Sequence, residues 1–126
     1  MVRKDYGCGL EAALDVVGGK WKVLILWALR SAPCRFGELR RQVAGISEKM
    51  LIQSLKELEQ DQIVRRKDFK EVPPHVEYSL TAFGSSLYEA LAPLCSWGQH
   101  HMARIEARKE KCEIKSQQTA TAQLVD

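Results

Sequence analysis

The chain has 126 residues, 45% of them apolar and 28% charged, with a formal net charge of only +3. That suits one soluble globular domain with a core of its own. A secretory leader is not expected, because the charged start at Met1 to Cys8 leads into no cleavable apolar run. A membrane span is not expected either, since the most apolar stretch, Trp21 to Leu29, is too short to cross a bilayer.

The charge is unevenly placed. Lys20 to Lys70 holds twelve basic and six acidic residues, while the remainder of the chain is net acidic. A positive field is therefore expected around the middle of the sequence.

In chain order, Leu10, Ala13, Leu14 and Val17 recur at helical spacing and predict a short amphipathic helix that Gly18 and Gly19 end. A second helix follows from Trp21 to about Arg30. It is apolar nearly all round, so it must be buried on more than one side or lie at a subunit interface, and Pro33 is expected to stop it. Gly37 to Val43 predicts a third helix with Arg40 and Arg41 outward. Ala44 and Gly45 make a turn, and Ser47 is a good N-cap for a fourth helix reaching about Asp61. In that helix Leu51, Leu55 and Leu58 form one stripe, with Lys49, Gln53, Lys56 and Gln60 opposite. Two helices joined by a tight glycine turn, the second with a polar outer stripe, make a helix-turn-helix pattern.

Ile63 to Phe69 predicts a strand bearing Arg65, Arg66 and Lys67. Pro73 and Pro74 then impose a stiff turn. Val76, Tyr78 and Leu80 alternate with polar residues as in a half-buried strand, so the whole is a β-hairpin with positive flanks. Thr81 caps a final helix to about Lys111, which Pro93 should kink and Trp97-Gly98 should bend again. Residues 114–126 lose amphipathic periodicity and predict a disordered tail, leaving 1–113 as one domain.

Enzyme chemistry finds little support. Gly18-Gly19-Lys20 lacks the earlier glycine and the following Ser/Thr of a phosphate loop. His100 and His101 point about 100° apart on a helix, which does not suit a shared metal ion even with Cys95 nearby. No catalytic set and no cofactor motif is evident. The four cysteines include no Cys-x-x-Cys, and reduced thiols in a cytoplasmic protein are expected.

Four motifs carry a resemblance. They are Cys8 before the first helix, Gly18-Gly19-Lys20-Trp21, the run Gly45-Ile46-Ser47 with Met50-Leu51 and Leu55-x-x-Leu58, and Val72-Pro73-Pro74-x-Val76-Glu77-Tyr78-x-Leu80-Thr81. In this order and spacing, the chain resembles the HxlR-type transcriptional regulators, which are related to the MarR-type winged-helix proteins. The resemblance implies a mostly α winged helix-turn-helix and a homodimer built from the N- and C-terminal helices. It also implies binding to double-stranded DNA at a two-fold-related operator, most simply as a repressor. Two positions depart from the pattern. Gly9 stands where a proline usually follows the cysteine, and Gln62 stands where a glycine usually ends the recognition helix.

Under that reading, Lys49 and Gln53 face base edges in a major groove, where Lys reads guanine and Gln reads adenine. Ser47 and the amides beside it suit a phosphate, and Arg40, Arg41 and Lys56 suit backbone phosphates. Arg65, Lys67 and Lys70 of the hairpin would follow a neighbouring minor groove. Arg3, Lys4 and the nearby helix start can favour a thiolate at Cys8, open to an oxidant, to a quinone-like electrophile or to a disulfide with a second copy. The thiols available for such a disulfide are Cys95 and Cys112, whereas Cys34 is expected to be a buried small hydrophobe. The family includes members that sense electrophiles or oxidants through this cysteine. A plain packing role for Cys8 stays open, as do a protein-binding winged helix and a small thiol-redox enzyme.

Overall fold

The computed structural model describes residues 5–125, with side chains through residue 110. It falls into two compact units, Met1–Glu89 and Ala90–Asp126. The elements run α1 (Gly9–Val17), α2 (Lys20–Ala28), α3 (Phe36–Gln42), α4 (Glu48–Gln60), β1 (Val64–Asp68), β2 (Val76–Leu80) and α5 (Ala82–Val125). Among the described residues, five helices and one antiparallel hairpin make a winged helix-turn-helix, as the motifs implied.

The core of the first unit lies where the helical stripes meet. Ile25 and Leu26 of α2, Leu39 of α3, and Leu51, Leu55 and Leu58 of α4 are all 2% exposed or less, as is Ile63. Burying side chains of this size contributes about 1.5–3 kcal/mol each before the entropy of ordering them is counted.

The helix ends show local chemistry. Gly18 takes the left-handed conformation (φ 53°) and its N–H closes α1 on Leu14. α2 ends at Ala28, five residues ahead of Pro33, so the proline is not what stops it. Its end is a tightened turn. The Leu29 N–H is shared between the Ile25 and Leu26 carbonyls, and both the Arg30 N–H and its guanidinium bond the Trp27 carbonyl. The Arg30 guanidinium also lies over the Trp27 ring at 3.7 Å, and Leu24 and Trp27 stay 38% and 40% exposed.

α4 ends in a Schellman turn. The Ile63 N–H reaches the Leu58 carbonyl (2.9 Å), the Gln62 N–H reaches Glu59 (3.0 Å), and Gln62 is left-handed at φ 61°. A side chain in that region is strained, whereas glycine is not. Gln62→Gly is therefore expected to stabilise the protein by about 0.5–1 kcal/mol, net of the extra freedom glycine has when unfolded. A urea titration checks this through a higher midpoint at unchanged slope.

β1 and β2 pair from Val64↔Leu80 to Asp68↔Val76. This register puts Arg65 and Lys67 on one face and Arg66 on the other. The expected in–out alternation of β2 is blurred, because all five of its residues are half-buried. Glu77 is covered because His75 Nε2 sits 2.6 Å from its carboxylate and Lys67 lies opposite it. A third pairing has no counterpart in the sequence pattern: Cys34 and Tyr78 exchange both backbone hydrogen bonds (2.9 and 2.8 Å), tying the α2–α3 connection to β2. One bridging residue carries no periodicity, so nothing in the sequence marks it.

α5 begins as expected. The Thr81 hydroxyl accepts from the Gly84 N–H (2.9 Å) and donates to the Gln62 carbonyl (2.6 Å). The helix continues through Pro93 and Gly98 and past Lys111 to Val125, across the stretch expected to be an unstructured tail. Lys115, Gln117, Gln118, Ala120, Ala122 and Gln123 in that stretch are good helix formers, and helical propensity does not require an apolar stripe.

Candidate nucleic-acid interface

The surface of the first unit that can meet a nucleic acid is built on α3, α4 and the hairpin. Gly45 at φ 85° makes the reversal between the two helices. The Ser47 hydroxyl accepts from the Met50 N–H (3.1 Å), as an N-cap does, so that amide is committed within the protein. With Leu51, Leu55 and Leu58 buried beneath, Lys49, Gln53, Lys56 and Gln60 stand exposed on the outer side of α4. The expected stripe is one continuous surface.

Some of its members have partners. The Gln53 amide donates to Glu57 (3.3 Å), and Glu57 is gripped by the Lys22 ammonium at 2.7 Å. The Lys22 bond, helped by the one from Gln53, holds the Glu57 carboxyl below the ordinary carboxylate range. Lys22 thus ties α2 to the helix that presents Gln53. The Gln53–Glu57 spacing of four residues is visible in the sequence, but the Lys22 contact is tertiary and has no local signature. Arg40 lies 3.7 Å from Glu48 in an exposed pair, leaving Arg41 as the freer cation of α3.

In the hairpin, Arg65, Arg66, Lys67 and Lys70 are all exposed. The tip is more structured than the two prolines alone require. Phe69 and His75 stack with centroids 4.2 Å apart, and the Phe69 N–H bonds the His75 carbonyl. The Lys67 ammonium lies 4.6 Å over the Phe69 ring, and His75 Nδ1 is 3.3 Å from Glu71. Lys70 takes φ 54°, with its N–H on the Asp68 carboxylate. Val72 projects at the end, 99% exposed.

Three thiols are described, in contrasting settings. Cys8 is exposed at the N-cap of α1. Cys34 is buried, with weak contacts to the Ala28 and Ala32 carbonyls and to the Gln42 amide. Burial, with Glu38 nearby, pushes the Cys34 thiol up and keeps it a protonated core group. In the second unit, Cys95 is exposed on α5. Arg3, Lys4 and the side chain of Cys112 lie outside the described residues.

Among the described residues, no group of three or more His, Cys, Asp or Glu is arranged to hold a metal ion. His100 turns to the Ser96 carbonyl while His101 packs on Trp97, so the two rings do not converge. No helix among the described residues is long and apolar enough to cross a membrane. Apolar side chains remain uncovered: Leu10 and Leu14 on α1, and Leu94, Trp97, Met102 and Ile105 on α5.

The same features recur in known proteins. The family described as HxlR-like helix-turn-helix matches residues 16–106. The HTH-type transcriptional regulator YkvN of Bacillus subtilis is 46% identical over 107 residues, which cover 85% of this chain and 91% of that protein. Among solved structures, the redox regulator HypR in its reduced form has a TM-score of 0.74 at 40% identity, covering 79% of this chain and 99% of that one. Diamide-treated YodB of B. subtilis has a TM-score of 0.63 at 35% identity, covering 76% and 96%. The matched stretch takes in the helix-turn-helix, the hairpin and much of α5, and the chain belongs to the HxlR-like helix-turn-helix family of transcriptional regulators.

Proposed function

We propose that the chain is a homodimeric repressor that reads a two-fold-related operator and is released when Cys8 is chemically modified. The observation carrying the DNA half is the exposed outer side of α4. Lys49 and Gln53 lie in its N-terminal half, where a recognition helix meets base edges. Arg41, Lys56 and, once freed from Glu48, Arg40 supply phosphate contacts, with Ser47 beside the start of the helix. Arg65 and Lys67 share one face of the hairpin, with Lys70 at its tip, and would track the next groove. The uncovered apolar residues of α1 and α5 support a second copy as their occupant.

Release through Cys8 is supported by its exposure, by the oxidized and reduced forms of the redox regulator HypR, and by the diamide-treated form of YodB. A quinone adds at the Cys8 sulfur to give a thioether on the reduced hydroquinone ring, with no leaving group. A peroxide instead transfers one oxygen atom to the Cys8 sulfur as its O–O bond breaks, giving a sulfenic acid and water or an alcohol. Condensation of that acid with a thiol such as Cys95 of a second copy gives a disulfide and water.

Footprinting on the chain's own promoter region tests both halves. Two protected half-sites about 34 Å apart, centre to centre, are expected. Protection without sequence preference would leave a protein-binding module as the better reading. Adding benzoquinone should remove the footprint of the wild type, while Cys8→Ser should bind equally well and keep its footprint. Loss of protection in Cys8→Ser as well would remove Cys8 from the sensing role.

A further inference from the structure

Ile52 is the one large apolar side chain of α4 left exposed among the described residues, at 41%. It follows Lys49 by three positions and precedes Lys56 by four, so on the helix surface it lies between these two exposed cations. At 100° per residue it is about 60° from Lys49 and about 40° from Lys56. Any surface that engages Lys49 and Lys56 together must therefore also meet Ile52. The buried Leu51 and Leu58 point to other sides of the helix.

A branched apolar group has few favourable neighbours in a DNA groove. Base edges in the major groove present hydrogen-bond donors and acceptors, with one apolar exception: the C5-methyl group of thymine. We infer that Ile52 is a specificity-determining residue that packs against a thymine methyl, next to the base pairs met by Lys49 and Gln53. The inference rests on the reading that the outer side of α4 enters the major groove. It adds a chemical requirement that the cations cannot impose: a thymine, or another 5-methylated pyrimidine, at one fixed position of each half-site. Lys49 and Gln53 select by hydrogen bonding, and Ile52 would select by the presence of a single methyl group.

Replacing thymine by deoxyuridine removes that methyl and leaves the pairing edge unchanged, which makes the test direct. The probe is a duplex selected from a random pool by the wild-type chain, compared with the same duplex carrying deoxyuridine for every thymine. Wild type should bind the thymine duplex about 4-fold more tightly for each methyl contacted, hence about 15-fold for a dimer on two half-sites. Ile52→Ala should bind the two duplexes equally, while its thermal midpoint stays close to that of the wild type because the residue is exposed. An equal methyl preference in wild type and Ile52→Ala would overturn the assignment, since another residue would then read the methyl. Absence of any methyl preference in the wild type would overturn it too. Failure of the underlying reading looks different: the pool would yield no enriched sequence at all.

Discussion

Gly84→Ala is expected to lower the stability of the first unit by about 3 kcal/mol, although alanine is the better helix former by about 1 kcal/mol. Gly84 is buried in the first turn of α5, against the turn that joins α4 to β1. A Cβ added there would overlap the Ile63 carbonyl oxygen and lie 3.0 Å from the carbonyl carbon and 3.2 Å from Ile63 Cγ2. These are largely backbone atoms, and they are held on several sides. The Ile63 carbonyl accepts the Thr81 N–H (3.0 Å) and its hydroxyl (3.2 Å), while the Ile63 N–H closes the Schellman turn and its side chain is fully buried. Relief of the overlap must displace α5 or break this cluster. A thermal scan of Gly84→Ala should show a midpoint lower by more than 10 °C if each kcal/mol moves it by about 4–8 °C. Gly98→Ala is the control, because a Cβ there meets nothing within 4 Å and the same substitution should be neutral or stabilising. A midpoint for Gly84→Ala equal to that of the wild type would show that the junction yields more easily than its hydrogen bonds suggest.

This junction also marks the limit of what the sequence discloses. The leucine stripe of α4, the Ser47 cap, the Gly18 stop and the Thr81 cap depend on residues within one or two turns of each other, so periodicity and capping chemistry are enough to place them. The left-handed position of Gln62 could be anticipated only because the family pattern has a glycine there, and the structure puts Gln62 at φ 61°. Long-range contacts are different. Nothing local to Cys34 announces that it bridges Tyr78, nothing local to Lys22 that it grips Glu57, and nothing in Gly84 that α5 meets the Ile63 carbonyl. The α2 terminus departs from expectation for a related reason. Proline forbids continuation, but the helix has already closed through the shared Leu29 N–H and the Arg30 bonds to Trp27. At the candidate interface, the exposed stripe of α4 and the cations of the hairpin were legible because solvated faces are read by elimination. Which cations are already engaged, as Arg40 is with Glu48 and Lys67 is over Phe69, needed the folded chain.

Lys49→Ala and Gln53→Ala should each weaken binding to a selected operator duplex by about 5- to 150-fold for each half-site contacted, the range expected when one base-edge interaction of about 1–3 kcal/mol is removed. If DNA reading divides as proposed, these losses should fall on sequence-specific affinity and leave binding to unrelated DNA nearly unchanged. Arg41→Ala and Lys67→Ala should do the reverse. Each would weaken specific and non-specific binding alike and flatten the salt dependence, by about 0.9 in the logarithmic slope for each phosphate no longer neutralised. Gln53 adds a further requirement, because its amide faces Glu57 in the free protein while Lys22 holds that carboxylate in place. To meet a base, Gln53 must give up only one exposed 3.3 Å hydrogen bond, and Glu57 keeps Lys22 as a partner afterwards. The rearrangement is therefore small, and the weakening in Gln53→Ala should report the interaction with DNA rather than the cost of releasing the side chain. Fluorescence anisotropy at several salt concentrations, with selected and scrambled duplexes, separates the two classes. Equal losses on both duplexes for Lys49→Ala and Gln53→Ala would make α4 another phosphate-contacting surface and move sequence discrimination elsewhere. No loss on either would favour a winged helix whose exposed α4 meets a protein.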